Sequence, residues 1–207
     1  MKIAVFGSHE GTTLQAIIDA CAAGRVSARV CVVISNNKDS GVLRRARAAD
    51  VPAYHLSSQT HPEPSDLDEA ICHVLVEHRA DLVVLAGYMR LLGERTLRRF
   101  EGRVLNTHPA LLPKFGGKGM YGSRVHEAVV AAREPRSGAT VHVVTSEYDA
   151  GPIVAQSEIP VLDADTPETL AARVQREEQS LLLRILTEIA VGEIRLPFER
   201  DGHRSRA

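Results

Sequence analysis

The chain has 207 residues, 44% of them hydrophobic, and its 25 basic and 26 acidic residues leave a formal net charge of -1. That balance offers no basic excess for a nucleic-acid partner, and no uninterrupted apolar run is long enough to span a bilayer. Cys21, Cys31 and Cys72 show no paired spacing and are odd in number, which suits reduced thiols in a cytoplasmic protein.

In chain order, residues 2–7 read as a short buried strand that begins without a signal-peptide layout. It runs through Ser8-His9-Glu10-Gly11-Thr12-Thr13 into a helix predicted over 14–22. The β-branched run 30–34 is continuously apolar, as a parallel strand buried on both faces would be. A helix over 41–49 carries basic residues on one side, and 52–55 is a brief strand. The stretch 57–65 reads as a loop, with Ser65 as the expected cap of a helix reaching about 79 and Asp66, Asp68 and Glu69 in its first turn. Residues 81–87 are the clearest buried strand, followed by a short helix predicted over 91–100.

The next stretch, Val104-Leu105-Asn106-Thr107-His108-Pro109-Ala110-Leu111-Leu112-Pro113, starts as a strand and ends in a proline-bounded loop. Asn106 and His108 are two apart, so an extended chain points both to one face and Thr107 to the other. Pro109 holds His108 extended and cannot continue a ladder, which places the histidine at a strand end. An amide donor beside an imidazole suits a carbonyl gaining negative charge in acyl transfer; the same pair could also cap a turn. Four glycines in 116–122 make the following loop flexible. A helix over 123–133 comes next, then strands 138–145 and 152–159 as an added hairpin. A long amphipathic helix over 166–190 and a polar tail from about 198 close the chain. Strand–helix alternation predicts an α/β fold, a doubly wound, mainly parallel sheet with an antiparallel C-terminal addition, in a single domain spanning 1–207.

The first loop lacks the Gly-x-Gly-x-x-Gly dinucleotide pattern. The backbone N–H groups of Gly11, Thr12 and Thr13 could hold a single phosphate at a helix N-terminus; threonine capping is the alternative. Asp149 lies in the loop between the last two strands. Beside His108 it would orient the ring, raise its pKa and keep it charged, whereas Asp-Ala-Gly is also an ordinary turn sequence. His108, His126 and His142 lack short metal-ligand spacing. The absence of Gly-x-Ser-x-Gly argues against an α/β-hydrolase.

Five motifs in order resemble the folate-dependent phosphoribosylglycinamide formyltransferase family over almost the entire chain. They are Gly11-Thr12-Thr13-Leu14-Gln15-Ala16-Ile17, Leu85-Ala86-Gly87-Tyr88-Met89-Arg90, the Asn106–Pro113 signature, Asp149-Ala150-Gly151-Pro152-Ile153 with Gln156, and Val174-Gln175-Arg176-Glu177-Glu178. The resemblance implies a Rossmann-like formyltransferase fold and formyl transfer from 10-formyltetrahydrofolate to glycinamide ribonucleotide. Asn106, His108 and Asp149 would be catalytic. Gly11, Thr12, Thr13, Pro109, Gln175 and Glu178 would hold the ribonucleotide, and Met89, Arg90, Leu91, Leu92 and Asn106 the folate. It implies no metal, small-molecule substrates, no nucleic-acid or membrane partner, and a cytoplasmic monomer or homodimer. Three departures stand out. Gly11-Thr12-Thr13 stands where the family more commonly has Gly-Ser-Asn. Glu63-Pro64-Ser65-Asp66 occupies a segment where the family often has a folate-contacting arginine, and 116–122 lacks the loop histidine of many members. Related alternatives are a formyltetrahydrofolate hydrolase, which usually carries an N-terminal regulatory domain, and methionyl-tRNA formyltransferase, which carries a C-terminal nucleic-acid-binding domain.

Overall fold

The computed structural model describes residues 1–198, so nearly all of the predicted polar tail lies outside the described residues. The chain runs β1 (Lys2–Phe6), α1 (Thr12–Ala22), β2 (Arg29–Ser35), α2 (Gly41–Ala48), β3 (Ala53–His55), α3 (Pro64–Glu77) and β4 (Leu82–Leu85). It continues through α4 (Glu94–Arg99), β5 (Val104–His108), α5 (Ser123–Ala131), β6 (Arg136–Val143), β7 (Ile153–Pro160) and α6 (Pro167–Ala190). Among the described residues seven strands make one sheet, in the order β3-β2-β1-β4-β5-β6-β7. β1 to β5 pair in parallel, and β6 and β7 are antiparallel additions, as the sequence predicts.

Alternation within each strand feeds two cores. Ile3 and Val5 of β1 pack with Leu14, Ile17, Leu43 and the Leu182 and Leu186 face of α6. Ala4 and Phe6 point the other way, toward Ile71 and Leu75 of α3 and toward Phe100. Covering both faces explains why the parallel strands are almost continuously apolar. The crossover from β1 leads to β2 on one side, and the crossover from β3 returns past β1 to β4 on its other side. This topological switch opens a crevice beyond the carboxyl ends of the two strands, where ligands of such sheets bind.

Several element ends differ from the sequence reading for physical reasons. Helix α1 starts at Thr12, two residues early, because Gly11 adopts a left-handed φ of 73° and serves as its N-cap; neither threonine caps it. Helix α3 starts at Pro64 after Glu63, so Ser65 is not its cap: proline fits the first helical turn and fixes the start. Helix α4 is confined to Glu94–Arg99, leaving Leu91 and Leu92 in a loop. Asp68 explains the late start of α4. Its buried carboxylate accepts from Arg95 N at 2.7 Å, Thr96 N at 3.1 Å and Thr96 Oγ1 at 2.5 Å, capping α4 from another helix. Gly93 is required beneath it, since a Cβ there would lie 2.2 Å from Asp68 Cγ.

Asp68→Ala strips a buried acceptor from two backbone N–H groups. The expected loss is about 2 kcal/mol of unfolding free energy. Urea denaturation of the two proteins measures it, and a loss within about 0.5 kcal/mol, the range of an ordinary surface change, would show that this cap does not hold α4.

Candidate active site

The last turnable residues of β5 carry the chemistry. Asn106 and His108 face one side and Thr107 the other, as the two-residue period requires. Beyond them the Pro109–Pro113 loop is fastened to the antiparallel strands. The buried Thr140 hydroxyl donates to Ala110 O at 2.6 Å and accepts from Leu112 N at 3.1 Å. Gln156 Nε2 donates to Leu112 O and to Thr140 Oγ1, each at 2.9 Å. His108 therefore leaves the sheet at a fixed point, and only 4% of it is exposed.

Asp149 comes to His108 from the β6–β7 connection, in a left-handed conformation with φ of 53° that Asp tolerates better than most residues. Its Oδ2 lies 3.5 Å from His108 Nδ1 and accepts from Gly117 N at 2.9 Å. Its Oδ1 lies 3.4 Å from His142 Nε2. Asn106 Nδ2 is 3.1 Å from the same His142 nitrogen. The other nitrogen of His142 faces Val143 O at 3.0 Å and must carry a hydrogen there. Nε2 accepts from the Asn106 amide when it is bare and donates to Asp149 Oδ1 when it carries a proton. Asn106, His142, Asp149 and His108 thus form one connected polar set inside an apolar fold.

The electrostatics correct one expectation. Burial pushes the His108 ring below its ordinary pKa range, and neither Asp149 nor the Phe115 carbonyl, both of which favour the charged ring, reverses it. The carboxylate alone does not keep the buried imidazole charged. For Asp149, burial raises the carboxyl, but the bond to His142, the charge of His108 and the Gly117 N–H outweigh it and hold the group below its usual range. His108 Nε2 meets Phe115 O at 2.8 Å, and Phe115 also has a left-handed φ of 55°. Both ring nitrogens of His108 consequently face acceptors.

The N-terminus of α1 offers the backbone of Gly11, Thr12 and Thr13, and no side chain caps it. Gln175 of α6 reaches it, with Nε2 donating to Thr12 Oγ1 at 3.1 Å. Glu178, one turn further along α6, accepts from the Thr107 hydroxyl, on the face of β5 away from Asn106 and His108. Burial pushes the Glu178 carboxyl above its ordinary range, and the Thr107 hydroxyl offsets this only in part. Between α3 and the β4–α4 loop lies a cavity of about 500 Å³, lined by Tyr88, Arg90, Leu91, Leu92, Asn36 and Tyr148 among others. Its size suits a drug-sized or cofactor-sized ligand. Burial drives the Tyr88 hydroxyl up to about 12, so it stays a neutral donor. Of the five residues expected to hold folate, Arg90, Leu91 and Leu92 line this cavity; Met89 and Asn106 are not part of its wall. Tyr148 links the cavity to the polar set through its neighbour Asp149.

Comparison with known proteins gives this geometry a lineage. The formyl transferase family matches residues 1–186. The chain belongs to that family. It is 40% identical to the chloroplast phosphoribosylglycinamide formyltransferase of Arabidopsis thaliana over 97% of this chain and 68% of that protein. It is 37% identical to phosphoribosylglycinamide formyltransferase of Haemophilus influenzae, over 94% of this chain and 90% of that protein. The crystal structure of glycinamide ribonucleotide transformylase 1 from Symbiobacterium toebii superposes with a TM-score of 0.88 at 39% identity, covering 97% of this chain and 92% of that one.

In this formyl transferase, sequence reasoning left Thr140 without a role, weighed His142 only as a metal ligand and placed Asp68 only in the first turn of its own helix. The signal for the first two was the Thr140-x-His142 spacing, which matches Asn106-x-His108 on the neighbouring strand, but it needs the strand register to be read. His126, on α5, is buried, and its Nδ1 has no hydrogen-bond partner among the described residues. Among the described residues no three His, Cys, Asp or Glu side chains are grouped to hold a metal ion, and no helix is long and apolar enough to cross a membrane.

NMR titration is expected to place the His108 pKa below the free-imidazole value of about 6.5. Asp149→Asn removes an influence that raises it, so the titration should move lower still. A His108 value at or above the free one would refute the dominance of burial, and a value unmoved by Asp149→Asn would refute the pairing. Gly11→Val is expected to unfold the α1–α2 contact whatever it does to ligands, because a Cβ on Gly11 would lie 2.7 Å from Val42 Cα. Thr12→Ala, on an exposed residue, should leave stability within about 0.5 kcal/mol. Thermal melts of the two variants separate these outcomes.

Proposed function

We propose that this chain transfers the formyl group of 10-formyltetrahydrofolate to the amine of glycinamide ribonucleotide, a step of purine biosynthesis. The observation that carries the reading is the joined set of Asn106, His142, Asp149 and His108 at the end of β5, beside a cavity of about 500 Å³. Its similarity to phosphoribosylglycinamide formyltransferases supports the same acceptor. The chain acts as one formyltransferase unit over 1–207, in the cytoplasm, on small molecules.

In this reading the ribonucleotide phosphate lies on the Gly11, Thr12 and Thr13 backbone, where a helix N-terminus favours an anion. Gln175 and Glu178 hold the sugar or amine, with Pro109 at the edge of the site. The folate packs against Arg90, Leu91 and Leu92, with Met89 beside Arg90 in the chain and outside the cavity wall. The amine attacks the formyl carbon, a bond forms between them, and the formyl oxygen becomes an oxyanion. Asn106 donates to it. His108 is uncharged before attack and is drawn toward its protonated form as negative charge grows beside it, then supplies a proton to the departing folate nitrogen. The attacking amine loses a proton, which moves through water beside Asp149 to the His108 ring, so that one proton leaves the amine and one reaches the folate nitrogen. The carbon–nitrogen bond to folate breaks, and the formyl group remains on the glycinamide. The residues provide every proton movement without a metal.

The purified protein should formylate glycinamide ribonucleotide, with little release of formate when that acceptor is omitted. Hydrolysis without acceptor at the same rate would identify a formyltetrahydrofolate hydrolase instead. Addition of a chelator or zinc should change the rate little. Asp149→Asn should lower kcat by a factor on the order of 10²–10⁴, the range for lost acid–base assistance. His108→Ala should lose at least as much, and the double variant should fall well short of the product of the two losses, since the residues work as a unit. Steady-state kinetics of the three variants decide this, and multiplicative losses would break the proposed pairing.

A further inference from the structure

The switch-point crevice between β1 and β4 is spanned by one side chain. Just past the strands the ladder continues for a step: Ala86 N donates to Phe6 O at 2.8 Å and Ser8 N to Gly87 O at 3.1 Å. From there the β1 chain heads for Gly11 and helix α1. The β4 chain turns at Gly87, whose φ of 71° few other residues adopt, toward the cavity wall. Ser8 sits at the parting, 3% exposed. Its hydroxyl accepts from Met89 N at 2.9 Å and donates to Asn36 Oδ1 at 2.5 Å. The directions are forced, because a backbone N–H can only donate and the hydroxyl has a single hydrogen to give.

Two features make this more than a filled gap. Asn36 extends from the end of β2 and lines the cavity, while Met89 sits between Tyr88 and Arg90, which also line it. The hydroxyl therefore fixes two separate pieces of the cavity wall relative to each other. It does so from the loop that leads within three residues to Gly11. No other side chain is bonded to the Met89 N–H among the described residues. Removing the hydroxyl leaves a donor on one side and an acceptor on the other without their partner, at a point where Ser8 itself is buried.

We propose that Ser8 is a positioning residue for the formyl donor: it holds the Met89 and Asn36 sides of the folate cavity in register from the loop that begins the ribonucleotide phosphate site. This rests on the formyl-transfer reading above. Ser8 touches neither reacting atoms nor, in this role, the donor itself; it acts through the two groups it bonds.

The test uses the full chain and the variants Ser8→Ala and Asn36→Ala, with two readouts. Amide hydrogen exchange at Met89 reports the bond without any substrate. Steady-state kinetics report its consequence as a split between KM and kcat. Ser8→Ala should speed Met89 exchange about tenfold or more and raise KM for 10-formyltetrahydrofolate about tenfold, the equivalent of one lost buried hydrogen bond, while kcat falls less than threefold. Asn36→Ala should move both readouts the same way, and the double variant should be little worse than Ser8→Ala alone, because the bonds share one hydroxyl. If Ser8→Ala does not fold, Asn36→Ala carries the test with the same two readouts. Unchanged Met89 exchange and unchanged folate KM in folded variants would overturn the proposal, as would a loss confined to kcat. A wild-type protein that transfers no formyl group would instead overturn the function proposed above, and the two failures are distinguishable because the second needs no variant.

Discussion

The candidate site depends on the reversal of direction between β5 and β6. From β1 to β5 the strands pair in parallel, and β2 to β5 are each delivered by a helical crossover. β6 runs antiparallel, so its side chains stand directly across from those of β5: Asn106 opposite His142 and His108 opposite Thr140. Directly opposed residues hold their Cβ atoms about 5 Å apart, close enough for side chains to meet without long reach. His142 then takes the Asn106 amide and Thr140 fastens the loop after His108. A slip of one residue would turn both to the other face of the sheet and empty the site. The hairpin also returns Asp149. Gly151 passes so near β6 that a Cβ on it would lie 1.8 Å from Val143 O, and this close approach folds the Asp149 loop back over the strand.

Within that frame, burial and charge oppose each other at His108. Two acceptors, Asp149 and the Phe115 carbonyl, face its two nitrogens, yet burial still pushes the ring below its ordinary range. The resting arrangement is thus prepared for a cation that it does not hold at neutral pH. In the proposed reaction, a formyl oxygen gaining charge beside the ring would add a third influence that favours the charged form. Under the proposed reaction the protonated ring is stabilised when the oxyanion exists and not before, which is selective stabilisation of the charged state along the reaction. A permanently charged His108 would favour the ground state and the oxyanion alike.

The sequence showed the parts of the molecule that local rules govern. Apolar runs gave the parallel strands, the Asn106-x-His108 spacing gave a shared face, and Pro109 gave the strand end. It could not show features that depend on distant register or on a competing local signal. His142 is read as catalytic-site chemistry only when β6 is aligned to β5. Asp68 looked like a first-turn acid of its own helix, yet it caps α4, 27 residues away at Arg95. Ser65 followed the capping preference, but Pro64 took the first helical position and moved the start. The charge of His108 was misjudged because a carboxylate neighbour is visible in a motif, whereas the depth of burial is a property of the finished fold.

Helix α6 ties the two halves of the candidate site into one body. Gln175 and Glu178 are three apart, so they share a helix face one turn from each other. The first reaches Thr12 at the start of α1 and the second reaches Thr107 near the end of β5. Leu181, Leu182, Ile185 and Leu186 continue down the helix into the main core, which fixes its rotation. A shift of one residue along α6 would move each contact by about 1.5 Å and turn it by about 100°, breaking both together. The apolar packing of the lower helix therefore sets the spacing between the phosphate-type site at Gly11 and the strand end that carries His108. Under the proposed function, that spacing is what a single ribonucleotide would bridge, its phosphate at one end and its amine at the other, and it is set by core contacts that lie well away from the chemistry.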